Sequence, residues 1–570
     1  MRYWLITLMA VFSCVDSQSQ FFDNPSYPKN YFRNPLAIPM NLSGNFGELR
    51  PNHYHMGLDC KTNARENLPV YAAADGYIAR IKIEPAGFGR AIYINHPNGI
   101  TTLYAHLNDF NPYLEAWVKG QQYKLASWQV FLELTPDQFP IKKGDFLAYS
   151  GNTGGSQAPH LHFEVRKTAT DENLNPLFFG FPLQDNTPPK ILRMAIYDRN
   201  QSTYEQVPKQ FAAKANKSGG YVITPAIIQT SSPKVSLAIT AYDTHDGSSN
   251  LNGIAEGQLW VDEQPIIAFR MDGISYDQTR YLNAHIDYKT KKSGGPFLQH
   301  LSELPGYTSS IYKKVNGDGV IDLSDMKVHD IRIVVKDAYG NKNQLNTKLQ
   351  WQGGVQPVVS AISGKLFQPM MLDVSESGSC EFYLGERCLY DKVHLAAKEL
   401  PATSLGVSNV FQIGNPNVPL QEAFLIRLQP SRQLSEIERT HTVMQWYSGT
   451  KKEVQKVEWQ QGWAAARFRD FGYFQLIVDT EPPVIVPSGF NDGANLQKAS
   501  RISFSVKDNL SKTKKVRAEL DGSWLRFTND KGHNYIYRFD EKCPPGEHEL
   551  KIRAEDEAGN VVERVFRFRR

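Results

Sequence analysis

Pro159-His160-Leu161-His162-Phe163-Glu164-Val165 alternates imidazoles with apolar side chains. On a strand, residues two apart share a face. His160 and His162 then point one way while Leu161 and Phe163 point into a core. A His-x-His strand is a better metal signal than one histidine, though many such pairs are plain surface residues. Glu164 reads as an exposed strand residue, with a supporting contact behind a ligand as the alternative. Ser150-Gly151-Asn152-Thr153-Gly154-Gly155-Ser156 precedes the strand, a turn-rich segment able to approach a ligand closely.

Upstream, His55-Met56-Gly57-Leu58-Asp59 sets a carboxylate four residues after an imidazole. On a strand that spacing returns both to one face. Both are ordinary zinc ligands, and Gly57 lets backbone lie close. Leu103-Tyr104-Ala105-His106-Leu107 adds an apolar-flanked histidine, which alone reads as a core residue. Six of the 14 histidines fall between His53 and His162: His53, His55, His96, His106, His160 and His162. Three protein ligands beside one open position is how catalytic zinc is held. His55, Asp59 and one histidine of the pair supply three, and two further histidines remain to handle protons. A closed structural site wants four ligands with several cysteines, and only Cys60 is near.

His55-x-Gly-x-Asp59, Tyr104-Ala105-His106-Leu107, and Gly151-Asn152-Thr153-Gly154 leading into His160-Leu161-His162-Phe163-Glu164 resemble the lysostaphin-type (LytM-like) peptidoglycan endopeptidases. Pro69 to Gly76, Gly87-Phe88-Gly89 and Ile141 to Asp145 resemble the same family. The resemblance covers roughly Asn45 to Pro176, about a quarter of the chain. It implies a compact antiparallel β domain of duplicated hybrid motif type, with the site in a groove across the sheet. It implies one Zn2+ on His55, Asp59 and His162, with His106 and His160 as the catalytic pair. Peptidoglycan peptides are the implied substrate. Asn67 stands where the family often has Gly. The stretch from Asn108 to Pro140 is longer than the family leads one to expect. Trp128, Val130, Leu132 and Leu134 alternate within it, so it reads as an extra hairpin packed on the domain, with a groove wall or lid as the alternative.

The remaining sequence is mostly β. His329 to Asn341 parallels His548 to Asn560, each an alternating strand ending in a Gly-Asn turn. Val235, Leu237 and Ile239 alternate before Asp243, as Ile502, Phe504 and Val506 do before Asp508. These repeats resemble the immunoglobulin-like modules of bacterial surface proteins. Asp185-Asn186-Thr187-Pro188-Pro189 and Asp479-Thr480-Glu481-Pro482-Pro483 read as hinges. The expected fold is mostly β, a lysostaphin-type domain followed by about three β-sandwich domains. Its divisions are a signal peptide at 1–19, a metallopeptidase domain at 36–185, immunoglobulin-like domains at 186–355 and 481–570, and a β-rich domain at 356–480.

Arg2 followed by the short apolar stretch Tyr3 to Val15 reads as an export signal, too short to span a bilayer. The protein is then expected in the periplasm or at the cell surface. A second reading lipidates Cys14. No later segment is apolar enough to cross a membrane. A net charge of +4 without a polybasic block implies no nucleic-acid partner. Cys380 and Cys388 pair as a local disulfide or remain two buried thiols. Asn316, Asp318, Asp322 and Asp325 resemble a Ca2+ loop, but Lys314 occupies its first ligand position, and a polar turn is the preferred reading. The function expected is hydrolysis of peptidoglycan cross-links. The alternatives are a non-catalytic wall-binding or hydrolase-activating scaffold, and a peptidase for secreted proteins. A protein partner would bind through the β domains.

Overall fold

The computed structural model describes residues 21–217, 219–354, 363–510 and 513–570. The expected signal peptide and Cys14 lie outside the described residues. The N-terminal domain is built around the strand His160–Lys167. It pairs antiparallel with Leu58–Lys61 on one side and Ile100–Ala105 on the other. The sheet continues through Arg90–Asn95, Gly76–Ile83 and Val130–Glu133, and ends at its other edge in Leu42–Gly44. A smaller sheet of Pro69–Tyr71, Phe146–Ser150 and Leu107–Phe110 packs on it. Leu161, Phe163 and Val165 are fully buried in the domain's core with Leu58, Ile92 and Tyr104. Burying such side chains contributes about 1.5–3 kcal/mol each.

Residues 108–140 do not form the expected hairpin. They form helix α1 (Pro112–Leu125) and the strand Val130–Glu133, which extends the main sheet at its edge. Asn111 caps the helix by accepting from the Leu114 amide at 3.0 Å, and Pro112 opens it where no amide partner is needed. The alternating apolar residues 128–134 fit the strand; the cap at Asn111-Pro112 was the overlooked signal.

Three groups of β-sheets follow, so the mostly-β fold with several trailing β domains is as expected. The first has a sheet around Lys190–Asp198 and Lys234–Tyr242 and a second around Glu256–Val261, His329–Lys336 and Lys342–Gln350. The second spans Lys365–Phe367 to Gly472–Val478, and the third Val484–Ser488 to Val561–Arg569. The two repeated segments form matching hairpins, His329–Lys336 with Lys342–Gln350 and Glu547–Glu555 with Val561–Arg569. Gly340 and Gly559 take φ of 93° and 94° in the two turns, the left-handed region glycine adopts freely. Cys60, Cys380, Cys388 and Cys543 are buried free thiols, so Cys380 and Cys388 do not pair.

The cores do not divide as the linear order suggests. One apolar cluster joins the first two trailing modules and takes in Phe46, Tyr54 and Met56 from the N-terminal domain. The C-terminal module folds back onto helix α1. Lys119 pairs with Asp540 at 2.7 Å, Arg526 Nε donates to Gln122 Oε1 at 2.5 Å, and Tyr123 meets Trp524 edge-on.

Candidate active site

Register does most of the positioning. His162 lies directly opposite Asp59 on one neighbour and Ala105 on the other, and His106 follows Ala105. His55 sits in the loop before the strand Leu58–Lys61, so its approach to Asp59 comes from that loop and not from strand periodicity. His55 Nε2 is 3.0 Å from Asp59 Oδ1, and His162 Nδ1 is 2.9 Å from the same oxygen. The ligand atoms of His55, Asp59 and His162 all lie within 4.8 Å of one another. His160 Nε2 approaches Asp59 Oδ1 at 3.3 Å, and the rings of His106 and His160 stand 4.8 Å apart.

Each histidine has one nitrogen fixed from outside. His55 Nδ1 donates to Asn45 O at 2.8 Å, His106 Nδ1 to Thr153 O at 2.9 Å and His160 Nδ1 to Ala158 O at 2.8 Å. A carbonyl only accepts, so these bonds place the proton on Nδ1 and turn the Nε2 lone pairs inward. For His162 the orientation is reversed: Nε2 meets Glu164 Oε1 at 2.9 Å, and Nδ1 faces Asp59. A partner on the outer nitrogen is the usual support of an imidazole metal ligand.

Glu164 is therefore not the exposed strand residue expected. It is fully buried. Its Oε2 accepts from Arg166 Nε at 2.7 Å and Asn173 Nδ2 at 2.8 Å, and its Oε1 also accepts from the Tyr276 hydroxyl at 2.5 Å. Alternation places residues 160, 162, 164 and 166 on one face, so its neighbourhood was readable; its burial arises because Tyr276 comes from the first trailing module. Arg50 was also missed. Its Nη2 holds Asp59 Oδ2 at 2.5 Å, leaving Oδ1 to the histidines.

The electrostatics follow from this packing. Burial pushes His55 down to about 4 and His106 to about 3, the latter helped by His162 and His160 nearby. Burial also opposes charge on His162, but its hydrogen bonds to Asp59 and Glu164 outweigh it and raise its pKa to about 9. Burial alone would raise Asp59; the charge and hydrogen bonds of the three histidines hold it well below the usual carboxylate range. Asp59 and Glu164 thus favour positive charge at the cluster. Two imidazole nitrogens and one carboxylate oxygen, buried and oriented, form a donor set that fits zinc.

His106 has φ of 58°, unusual for a residue with a side chain, and conformations of this kind cost about 1–3 kcal/mol. Its amide donates to Phe88 O at 3.0 Å, which with Thr153 O secures the ring. The site opens into a groove of about 1590 Å3 lined by Arg50, His53, Phe88, Phe131, Gln157 and Tyr276 among others. Phe131 is half exposed, so the inserted segment both packs on the domain and walls the groove.

Asn316, Asp318, Asp322 and Asp325 do not converge. Asn316 Nδ2 donates to Pro265 O, while the three aspartates accept from the amides of Val320, Ser324 and Lys327. These are the local bonds of a polar turn.

Buried His and Asp donors facing a groove define a metallopeptidase-like site. Residues 53–124 match Peptidase family M23, and residues 365–479 match the Zu5-like domain. These two segments of the chain are thus similar to an M23 peptidase and to a Zu5-like domain. The DD-carboxypeptidase/endopeptidase Mpg of Neisseria meningitidis serogroup B is 32% identical over 133 residues, 23% of this chain and 24% of that protein. The peptidoglycan DD-endopeptidase ShyA of Vibrio cholerae is 24% identical over 32% of this chain and 38% of its own length. The chain spans about a quarter of the length of the Neisseria relative it matches. The solved catalytic domain of lysostaphin from Staphylococcus simulans matches 23% of this chain and 86% of its own, at 23% identity and a TM-score of 0.17.

Proposed function

We propose that the chain is a zinc-dependent endopeptidase that hydrolyses the peptide cross-links of peptidoglycan, acting in the periplasm or at the cell surface. The observation that carries this reading is the convergence of His55 Nε2, Asp59 Oδ1 and His162 Nδ1, each with its outer atom already engaged. The similarity to enzymes named as peptidoglycan endopeptidases supports the substrate class. Among the described residues no helix is long and apolar enough to cross a membrane.

His55, Asp59 and His162 would hold one zinc, which supplies Lewis acidity toward a water and toward the scissile carbonyl. His106 and His160 flank the cluster with Nδ1 bonded outward and Nε2 turned toward it. One of them accepts a proton from the attacking water, and a protonated imidazole returns one to the leaving amine. Their N–H groups, once charged, also stabilise the developing oxyanion. The groove, walled by Phe88, Phe131 and Tyr276, aligns an extended peptide across these atoms.

The test is zinc content together with digestion of purified peptidoglycan. Wild type is expected to hold about one zinc per chain and to release cross-link fragments. His162→Ala loses both, and His106→Ala loses activity while keeping metal. Zinc-loaded wild type that leaves peptidoglycan intact, or zinc loss from His106→Ala, would overturn the assignment.

A further inference from the structure

Away from the groove, three carboxylates meet where the segment 185–189 joins the N-terminal domain to the first trailing module. Asp185 lies on that segment, Asp243 just follows the strand Lys234–Tyr242, and Asp337 opens the turn to Asn341. One oxygen from each lies within 4.8 Å of the others.

All three carboxylates have some partner, and that of Asp243 is the Thr244 amide. Asp185 Oδ1 accepts from the Thr187 amide at 3.1 Å. Asp337 Oδ1 accepts from the amides of Tyr339 and Asn341 at 2.8 and 2.9 Å, and its Oδ2 from Asn341 Nδ2 at 2.7 Å. Asp243 differs. It is only 6% exposed, and its Oδ1 has no hydrogen-bond partner. A buried carboxylate oxygen without a donor is costly, and buried charges are normally paired or bound to metal.

Among the described residues, no cation acts on Asp243 or Asp185. The charges acting on Asp243 are those of Asp185 and Asp337, and those acting on Asp185 are Asp337 and Asp246, all negative. Burial, reinforced by these neighbours, pushes Asp243 up to about 8 and Asp185 to about 6. The donors are all oxygen, with no histidine or cysteine in the cluster, which suits a hard cation. Small, strictly octahedral magnesium keeps most of its waters, whereas calcium accepts several carboxylates in an irregular shell.

We propose that Asp185, Asp243 and Asp337 bind a calcium ion that fixes the joint between the peptidase domain and the first trailing module. Asn341 Nδ2 also donates to Asp185 O at 3.0 Å, so the turn and the joining segment already touch where the ion sits. This site is independent of the histidine cluster and of the proposed zinc chemistry. The C-terminal module repeats the arrangement with Asp479, Asp508 and Asp556, and Asn560 Nδ2 donates to Asp479 O at 2.8 Å. There the Lys456 ammonium lies close enough to feel Asp556 and donates to Ala558 O. The proposal is confined to the first cluster, where among the described residues no such cation acts on Asp243 or Asp185.

The test is equilibrium dialysis of the full, zinc-loaded chain against calcium alone, with thermal melting in parallel. Wild type is expected to bind calcium between about micromolar and millimolar concentrations and to melt higher in its presence. Asp243→Asn should lose one equivalent and the associated share of the melting shift, while Asp318→Asn in the distant polar turn should change neither. Asp185→Asn, at the less buried position, repeats the test should Asp243→Asn fold poorly. Wild type that binds no calcium at millimolar concentration, variants that keep every equivalent, or an equal melting shift with magnesium would overturn the proposal.

Discussion

The Tyr276 hydroxyl donates to Glu164 Oε1 at 2.5 Å, and the same oxygen receives His162 Nε2 at 2.9 Å. A residue of the first trailing module therefore helps aim a candidate metal ligand of the N-terminal domain. Losing such outer partners typically costs about 10–100-fold in metal affinity or activity. Glu164→Gln is expected to fall in that range and Tyr276→Phe nearer its lower end. Zinc retention against a competing chelator measures both; unchanged retention in Glu164→Gln would remove Glu164 from the ligand's support.

Gly57 explains the glycine between His55 and Asp59. A Cβ there would stand 2.4 Å from Phe163 O, 2.8 Å from Glu164 Cγ and 3.1 Å from His162 Cε1. Backbone oxygen cannot yield as a flexible side chain can. Gly57→Ala should cost about 1–3 kcal/mol of stability and displace His162. Urea unfolding and zinc content should both report the damage, and a stable, zinc-replete variant would contradict it.

The C-terminal module reaches the loop that orients His106. Asp530 O accepts from the Gly154 amide at 2.9 Å, and Lys531 Nζ donates to Ser156 O at 2.7 Å. Thr153 O, beside Gly154, is the acceptor for His106 Nδ1. Lys531→Ala should quicken amide exchange over 152–156 and lower kcat by about ten- to a hundredfold, the scale of small misplacements in a site. Zinc content should stay unchanged. A faster variant would instead identify the contact as a restraint on activity.

His285 and His300 are fully buried in the first trailing module, and burial pushes both down to about 3. Arg199 and the Tyr197 ring face His300; Tyr312, Gln299 and the Phe269 ring face His285. Unfolded, each would titrate near 6.5, so the unfolded chain binds more protons below that pH. The stability due to neutral burial is fully present above about 6.5 and is lost as pH falls toward 3, at no more than about 1.4 kcal/mol per pH unit for each histidine. Urea midpoints at pH 7 and pH 5 should show the loss, and His300→Gln should flatten it.

The sequence made the strand of His162 legible because alternation is local: Leu161 and Phe163 had to face a core. The partnership of His162 with Asp59 depends on strand register, which local pattern does not state, although the order of the motifs pointed to it. Helix α1 was masked by the alternation after Trp128, while its cap at Asn111 and Pro112 lay in view. Glu164 was misread because its burial depends on Tyr276, 112 residues away. Arg50 gave no pattern at all; only folding brings it to Asp59. The shared core of the first two trailing modules was hidden for the same reason.

Phe46, Tyr54 and Met56 pack into the trailing modules' core immediately before the strand that carries Asp59. The N-terminal domain is therefore not a portable cassette. Cut out near residue 185, it would expose three large apolar side chains beside its candidate ligands and lose the Tyr276 contact. Exchange of this domain between proteins, by recombination or by design, should succeed only when the first trailing module travels with it.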